Sequence, residues 1–297
     1  MVDNFADRLL AAIRDKGSPV CVGVDPVYER LPDELRGGKD TPAARAEAIR
    51  EYSRRLLDVI APIVPAVKPQ IAYFEPYREF GLKAYYDVVA HARALGLLVI
   101  GDVKRGDIGP TASAYAAAHL GGPDTPDAVT VNGYFGADGL KPFADHAERG
   151  KGLFVLVRTS NPSAASVQDF SDGSNTPFYE HMARLVARFG QEDALVGQHG
   201  YSAVGAVVGA TWPDEARRLR EVMPRQIFLV PGYGAQGATA KDCAASFKED
   251  GTGAIVNASR SVIFAYRADQ YKGLDWIEAV RRAAVAFAED IRKAVIP

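Results

Sequence analysis

Eight short apolar, β-branched runs recur along the chain, at 20–24, 66–68, 97–103, 128–131, 153–157, 206–208, 227–230 and 254–256. Most lack the polar alternation of a half-exposed strand, and continuous hydrophobic runs are the mark of strands covered on both faces in a parallel sheet. Helical patterns fill the intervals. Ile49, Tyr52, Leu56, Val59 and Ile63 keep a three-four spacing behind Thr41-Pro42, a capping residue followed by proline at the first helical position. Phe178, Met182, Leu185 and Phe189 repeat the device behind Thr176-Pro177, and Ile277, Val280, Ala284, Phe287 and Ile291 make the last helix. Strand, loop and helix thus alternate about eight times, at roughly 35 residues per unit, with no Pro/Gly/Ser-rich linker between two halves. The count of eight predicts an α/β fold, a (β/α)8 TIM barrel with a parallel eight-stranded core, as one domain over 1–297. An open doubly wound sheet is the alternative that the same alternation permits.

One connection departs from the pattern. Residues 159–175 are rich in Ser, Asn, Asp, Gly and Pro and have no hydrophobic period, which predicts a long loop serving as a functional lid; a disordered surface insertion is the plainer reading. The composition, 47% hydrophobic and 24% charged, excludes a disordered, collagenous or coiled-coil chain. Thirty-five Lys and Arg against 37 Asp and Glu give a net charge of -2, so no global positive field exists to hold nucleic acid or an anionic membrane. Any anionic partner must be small and locally bound. Cys21 and Cys243 form no CxxC or Cys/His cluster, which points to a reducing cytoplasm and away from a structural zinc site or a disulfide framework. The polar N-terminal stretch carries acids where a signal peptide carries bases, and no segment reaches the roughly 18 apolar residues of a membrane span. Export and anchoring are not expected.

In a barrel, function sits at the carboxyl ends of the strands, and several runs here end in charge. The first ends at Asp25, the second at Lys68, and the third passes through Asp102-Val103-Lys104-Arg105-Gly106-Asp107. Asp102 and Lys104 are two apart on a strand and so share a face, pointing into the barrel or toward its mouth. Each has a plain reading alone: Asp25 as a turn cap before Pro26, Lys68 as a snorkelling side chain, the Asp-x-Lys pair as a structural salt bridge. Together they would converge on one small cavity, where burying charge costs several kcal/mol per ion unless it is paired. An alternating Lys-Asp-Lys-Asp chain keeps its lysines protonated, which suits delivery of a proton to a developing carbanion.

A second constellation follows the seventh and eighth runs. Gly232, Gly234 and Gly237 fit GxGxxG, but Pro231 interrupts the turn and Asn257 stands where a dinucleotide fold places an acid, so a dinucleotide site is disfavoured. The loops after strands seven and eight commonly bind phosphate in this barrel, and here they offer glycine amides, Gln236 and the forked cation of Arg260. The plain alternative is a glycine turn beside a surface arginine. Asn132 and the stretch Thr159-Ser160-Asn161 offer hydrogen bonds to a flat polar ligand, or serve as turn residues. The histidines at 91, 119, 146, 181 and 199 show no HxH or HExxH spacing, and neither a metal site nor a Ser/His/Asp arrangement is expected.

The segment 102–108 resembles the DxKxxD signature of the orotidine 5'-phosphate decarboxylase family. Val22-Gly23-Val24-Asp25-Pro26, Val67-Lys68-Pro69-Gln70, Thr130-Val131-Asn132, Arg158-Thr159-Ser160-Asn161-Pro162, Val208-Gly209-Ala210-Thr211, the 231–237 loop and Asn257-Ala258-Ser259-Arg260 appear in the family's order. The pattern is closest to the longer bacterial branch. The resemblance implies that Lys104 protonates C6 of the pyrimidine after carbon dioxide leaves, that Asp102 lies against the departing carboxylate, and that Lys68 and Asp107 complete the array. It further implies a cytoplasmic homodimer with shared active sites, in which Asp107, with Ile108 and Thr111, reaches the neighbouring subunit's site. Asp25 would bind ribose hydroxyls, Ser160 the pyrimidine edge, and Gln236 with Arg260 the phosphate, and no cofactor or metal is implied. A magnesium-dependent sugar-phosphate decarboxylase or aldolase of the same superfamily is the alternative, weakened by lysine at 68 in place of a metal-binding acid. A silent phosphate-binding barrel is the non-enzyme alternative, weakened by the intact Lys68, Asp102, Lys104 and Asp107 set.

Overall fold

The computed structural model describes residues 3–37, 40–173 and 175–295. Its strands are β1 Val20–Val24, β2 Ala66–Pro69, β3 Leu98–Arg105, β4 Ala128–Val131, β5 Gly152–Arg158, β6 Ser202–Val208, β7 Gln226–Pro231 and β8 Ala254–Ala258. Each pairs in parallel with the next, and β8 pairs with β1, so the sheet closes into a barrel in chain order and the open doubly wound alternative is overturned. Closure leaves no unpaired edge.

Several strands run past their apolar runs at the carboxyl end, because ladder hydrogen bonds are made by the backbone whatever the side chain. In this way β8 continues through Asn257 to Ala258, and β3 reaches Arg105, which pairs with Val131 beyond a slip in register. At the other end β6 begins at Ser202 rather than 206. Its small residues hide the strand from a hydrophobic count, yet Gly205 is required there: a Cβ would lie 2.6 Å from the Ile227 carbonyl oxygen and 2.7 Å from the Phe154 ring. The register sets Gly23 opposite Lys68, bridges Gln70 to Asp102 and sets Pro231 opposite Asn257, which brings the polar strand ends to one level at the mouth.

The helices pack outside. Pro42–Ile60 starts at Thr41, whose hydroxyl accepts from the Ala44 amide, and buries Ile49, Tyr52 and Leu56; Ile63 falls beyond its end. Phe178–Phe189 begins differently from expectation: Pro177, not Thr176, occupies the cap position and has no side-chain acceptor to offer. The last helix, Trp276–Val295, buries Trp276 with Val280, Ala284, Phe287 and Ile291, while Ile277 turns outward. The 159–175 connection is not structureless. It holds the turns Pro162–Ala164 and Ala165–Gln168, tied back to β5 by a 2.6 Å Arg158–Asp169 ion pair and by the Gln168 amide donating to Thr159 Oγ1. Below the barrel, the helix Phe5–Lys16 packs across the amino ends of β5 and β6, with Phe5 edge-on to Phe154 at 5.9 Å. No helix of the described residues is long and apolar enough to cross a membrane.

Candidate active site

The carboxyl ends of the strands open into a cavity of about 600 Å³, within the range of a nucleotide-sized ligand pocket. Asp25, Lys68, Asp102, Lys104, Ser160, Gln236 and Arg260 all line it, although they come from six different strand ends. Asp107, Thr111 and Asn132 do not. Asp107 accepts from the Ile108 amide at the rim, Thr111 lies exposed on the helix Gly109–Leu120, and the Asn132 Oδ1 accepts from the Tyr134 amide, which is the turn-residue reading.

The centre of the cavity floor is Asp102, only 5% exposed. Lys68 Nζ, itself buried, donates to Asp102 Oδ2 at 2.5 Å, and Oδ1 accepts both from Lys104 Nζ and from the Thr130 hydroxyl at 2.9 Å. Burial works against an ionised carboxylate, but Lys68 and Lys104 override it and hold Asp102 well below the usual carboxylate range. Burial likewise disfavours the Lys68 ammonium, and Asp102 together with Asp25 outweighs it, so Lys68 is held above the ordinary lysine value. The result is a carboxylate clamped between two ammonium groups, one sealed into the wall and one, Lys104, about half exposed to the cavity.

The expectation that Asp102 and Lys104 share a face through plain strand alternation needs correction. Lys104 has φ 44°, in the left-handed region, and the β3–β4 register slips between Gly101 and Arg105. That conformation costs an L-residue roughly 1–2 kcal/mol. The side chain reaches Asp102 from a bent backbone whose amide is taken up by Thr130 Oγ1 at 3.0 Å rather than by a regular ladder. Thr130 stood in the sequence only as a motif residue beside Asn132.

On the opposite wall, Gly232, Gly234 and Gly237 have φ of 120°, 68° and 92°, so the GxGxxG spacing records a loop of left-handed turns that only glycine adopts freely. It carries Gln236 to the cavity, where Arg260 has no ion-pair partner among the described residues. The pocket also contains Asn257 and Ser259, which sequence reasoning passed over in favour of Arg260. Asp25 Oδ1, Asn257 Oδ1 and Ser259 Oγ are buried without a hydrogen-bond partner among the described residues, a cluster of unfilled polar capacity beside a ligand-sized space. Ser160 is held by contact with Gly209, where an added Cβ would lie 2.9 Å from its Cα and Cβ, and by the Thr211 hydroxyl donating to its carbonyl. Among the described residues no group of three or more His, Cys, Asp or Glu side chains is placed to hold a metal ion.

Comparison with known proteins points to one family. The family model described as orotidine 5'-phosphate decarboxylase / HUMPS matches residues 18–271. An orotidine 5'-phosphate decarboxylase of Rhodopirellula baltica is 42% identical over 305 residues, covering 97% of this chain and 99% of that protein. One from Clostridium perfringens is 36% identical over 293 residues, covering 98% and 99%. The solved structure of Leishmania donovani OMP decarboxylase superposes with a TM-score of 0.77 at 30% identity, over 98% of both chains. With a closed barrel, an Asp102 carboxylate held between two lysines and relatives aligned over nearly the full length, the chain belongs to the orotidine 5'-phosphate decarboxylase / HUMPS family.

Proposed function

We propose that the cavity binds orotidine 5'-phosphate, with the residues of the barrel mouth in the roles given below. The chain is an enzyme that converts this nucleotide to UMP and carbon dioxide, the final step of pyrimidine biosynthesis. The bond between C6 and the carboxylate breaks, its electron pair stays on C6, and the Lys104 ammonium gives that carbon a proton, to be reprotonated later from solvent. Asp102 lies against the departing carboxylate and keeps both lysines charged. Asp25 takes ribose hydroxyls, Ser160 the pyrimidine edge, and Gln236 with Arg260 the phosphate. A grip on the phosphate, remote from the reacting carbon, supplies binding energy that is realised in the transition state. The observation that carries this reading is the Lys68–Asp102–Lys104 clamp, a preorganised set of charges facing the cavity, with Lys104 its open end.

The chain acts as a single barrel domain and pairs as a homodimer in the cytoplasm, with Asp107 and Thr111 serving the neighbour's site. Support for pairing comes from Ile108, Tyr134 and Phe135, which stand 58%, 75% and 41% exposed beside them, more bare apolar surface than a lone subunit needs. Both cysteines are free and buried, in keeping with a reducing compartment.

Turnover of orotidine 5'-phosphate, followed by its ultraviolet absorbance with a chelator present, tests the assignment. Wild type turns over unaffected by chelator, and Lys104→Ala loses about 10²–10⁴-fold or more in kcat. Activity abolished by chelator and restored by magnesium, or Lys104→Ala as fast as wild type, overturns it.

A further inference from the structure

The acid and the lysine of the clamp leave one feature unexplained, the backbone that presents Lys104. Of the described residues three non-glycines have positive φ: Arg78 at a helix start, Asn175 in the long connection, and Lys104, which alone of them lies within a strand. Something outside β3 must hold it there.

We infer that Thr130 is a positioning residue for Lys104, its hydroxyl fixing the lysine's left-handed backbone and the Asp102 carboxylate at once. Thr130 sits in the middle of β4, 2% exposed, so its side chain is locked by packing and by β-branching. Its single hydroxyl proton goes to Asp102 Oδ1 at 2.9 Å, which leaves the oxygen to accept from the Lys104 amide at 3.0 Å. Two consecutive members of the clamp are thereby tied to one atom of another strand. Ordinary pairing resumes only beyond this point, where the Asn132 amide donates to the Arg105 carbonyl at 2.8 Å. Asp102 Oδ1 is the same oxygen that receives Lys104 Nζ, so hydroxyl, carboxylate, ammonium and amide form a closed loop that runs from the Lys104 side chain back to its own backbone. Removing the hydroxyl frees the Lys104 amide from its acceptor, leaves Asp102 with one donor fewer and lets the ammonium wander, while the cavity wall keeps its shape. Misplacing a catalytic group by an ångström is enough to cost about a hundredfold.

This inference rests on Lys104 as proton donor, and the experiment separates the two. Thr130→Val keeps the shape and removes the hydroxyl; Thr130→Ser keeps the hydroxyl and removes the methyl; Lys104→Ala is run beside them. We expect Thr130→Val to lose tenfold to a hundredfold in kcat, with KM and the dissociation constant of UMP within threefold of wild type, and Thr130→Ser to recover kcat to within threefold. A merely structural role moves KM or the unfolding midpoint and is not rescued by serine. If Thr130→Val does not fold, Thr130→Ser against Thr130→Ala decides, the serine variant faster by tenfold supporting the inference and equal rates overturning it. A Thr130→Val enzyme with kcat within twofold of wild type overturns the inference alone if Lys104→Ala is inactive. A fully active Lys104→Ala overturns the proton-donor reading itself.

Discussion

The barrel buries charge at both ends and uses it oppositely. At the amino ends of the strands, Asp127 accepts from the Val99 amide through Oδ2 and from Arg8 through Oδ1. Asp7 accepts from the Gln198 and His199 amides, and Lys151 donates to the Thr125 and Pro126 carbonyls. Those charges spend their hydrogen bonds largely on the backbone of the loops they pin. At the carboxyl ends, Asp102 spends its bonds on side chains from three strands, and Asp25 Oδ1 accepts no hydrogen bond from the described residues. A charge wired to loop backbone holds the barrel shut, whereas charges wired to each other, beside unfilled acceptors, hold a field ready for a ligand.

The largest effects should fall on the two aspartates. Asp102→Asn leaves Lys68 buried without its main counter-charge, and breaking such a buried pair costs about 3–5 kcal/mol of stability. It also removes the carboxylate that orients Lys104, so kcat falls by roughly 10²–10⁴-fold. Asp127→Asn should cost about 1.5–3 kcal/mol, the range for hydrogen bonds to a charged group, and leave kcat within threefold. Urea unfolding and steady-state kinetics on both variants decide the matter. An Asp127→Asn enzyme as slow as Asp102→Asn would erase the distinction between the two ends.

The sequence carries one of these ends much better than the other. Parallel strands buried on both faces announce themselves by apolar content, which is why all eight were visible, and the charges that end them pointed to the mouth. The carboxyl-terminal residues of β3 and β8 were not legible as strand, because Arg105 and Asn257 continue the ladder through their backbones. The left-handed turn at Lys104 was not legible either, since its amide is held by a hydroxyl from a different strand. Asn257 and Ser259 gain meaning only when β8 closes against β1 and sets them beside Asp25 and Gly23. The cap expected at Thr176 failed for a local reason, Pro177 taking the cap position itself.

A pH series sharpens the comparison, because Lys68 and Lys151, both buried, should respond with opposite sign. Lys68 is held above the ordinary lysine value, so its contribution is fully present below about pH 10.4 and is lost as pH rises through its raised value. Burial pushes Lys151 the other way, down to about 8, against a partial counter-pull from Asp127. In that case the folded state carries a cost below about pH 8 that is relieved toward pH 10.4, where the unfolded chain still binds the proton. Between pH 8 and 10, wild-type unfolding free energy measured against Lys151→Met should therefore rise by about 1–2 kcal/mol, a figure reduced because the carbonyl acceptors favour the charged form. A difference that falls over this interval would show that those acceptors dominate and that Lys151 behaves as Lys68 does.

The smallest and most local contrast lies in two glycines whose missing side chains each make room for one functional group. At the mouth, Gly209 leaves space for Ser160, whose Cα and Cβ would lie 2.9 Å from an added Cβ. At the base, Gly197 leaves space for the Asp7 carboxylate, which an added Cβ would strike directly. Neither glycine has positive φ, so alanine brings crowding without backbone strain. Overpacking of this kind costs roughly 1–3 kcal/mol, and the end of the barrel decides where the cost appears. Gly197→Ala disturbs the Asp7 bonds to the Gln198 and His199 amides, and should lower the unfolding free energy by about 2 kcal/mol with KM unchanged. Gly209→Ala moves Ser160 away from the pyrimidine edge it is proposed to bind, and should raise KM about threefold to tenfold, near 1 kcal/mol of binding, with the unfolding midpoint almost unmoved. If Gly209→Ala instead lowers stability and leaves KM alone, Ser160 is a packing residue, and the contact to the pyrimidine must be sought in Thr159 or Asn161, which line the same wall.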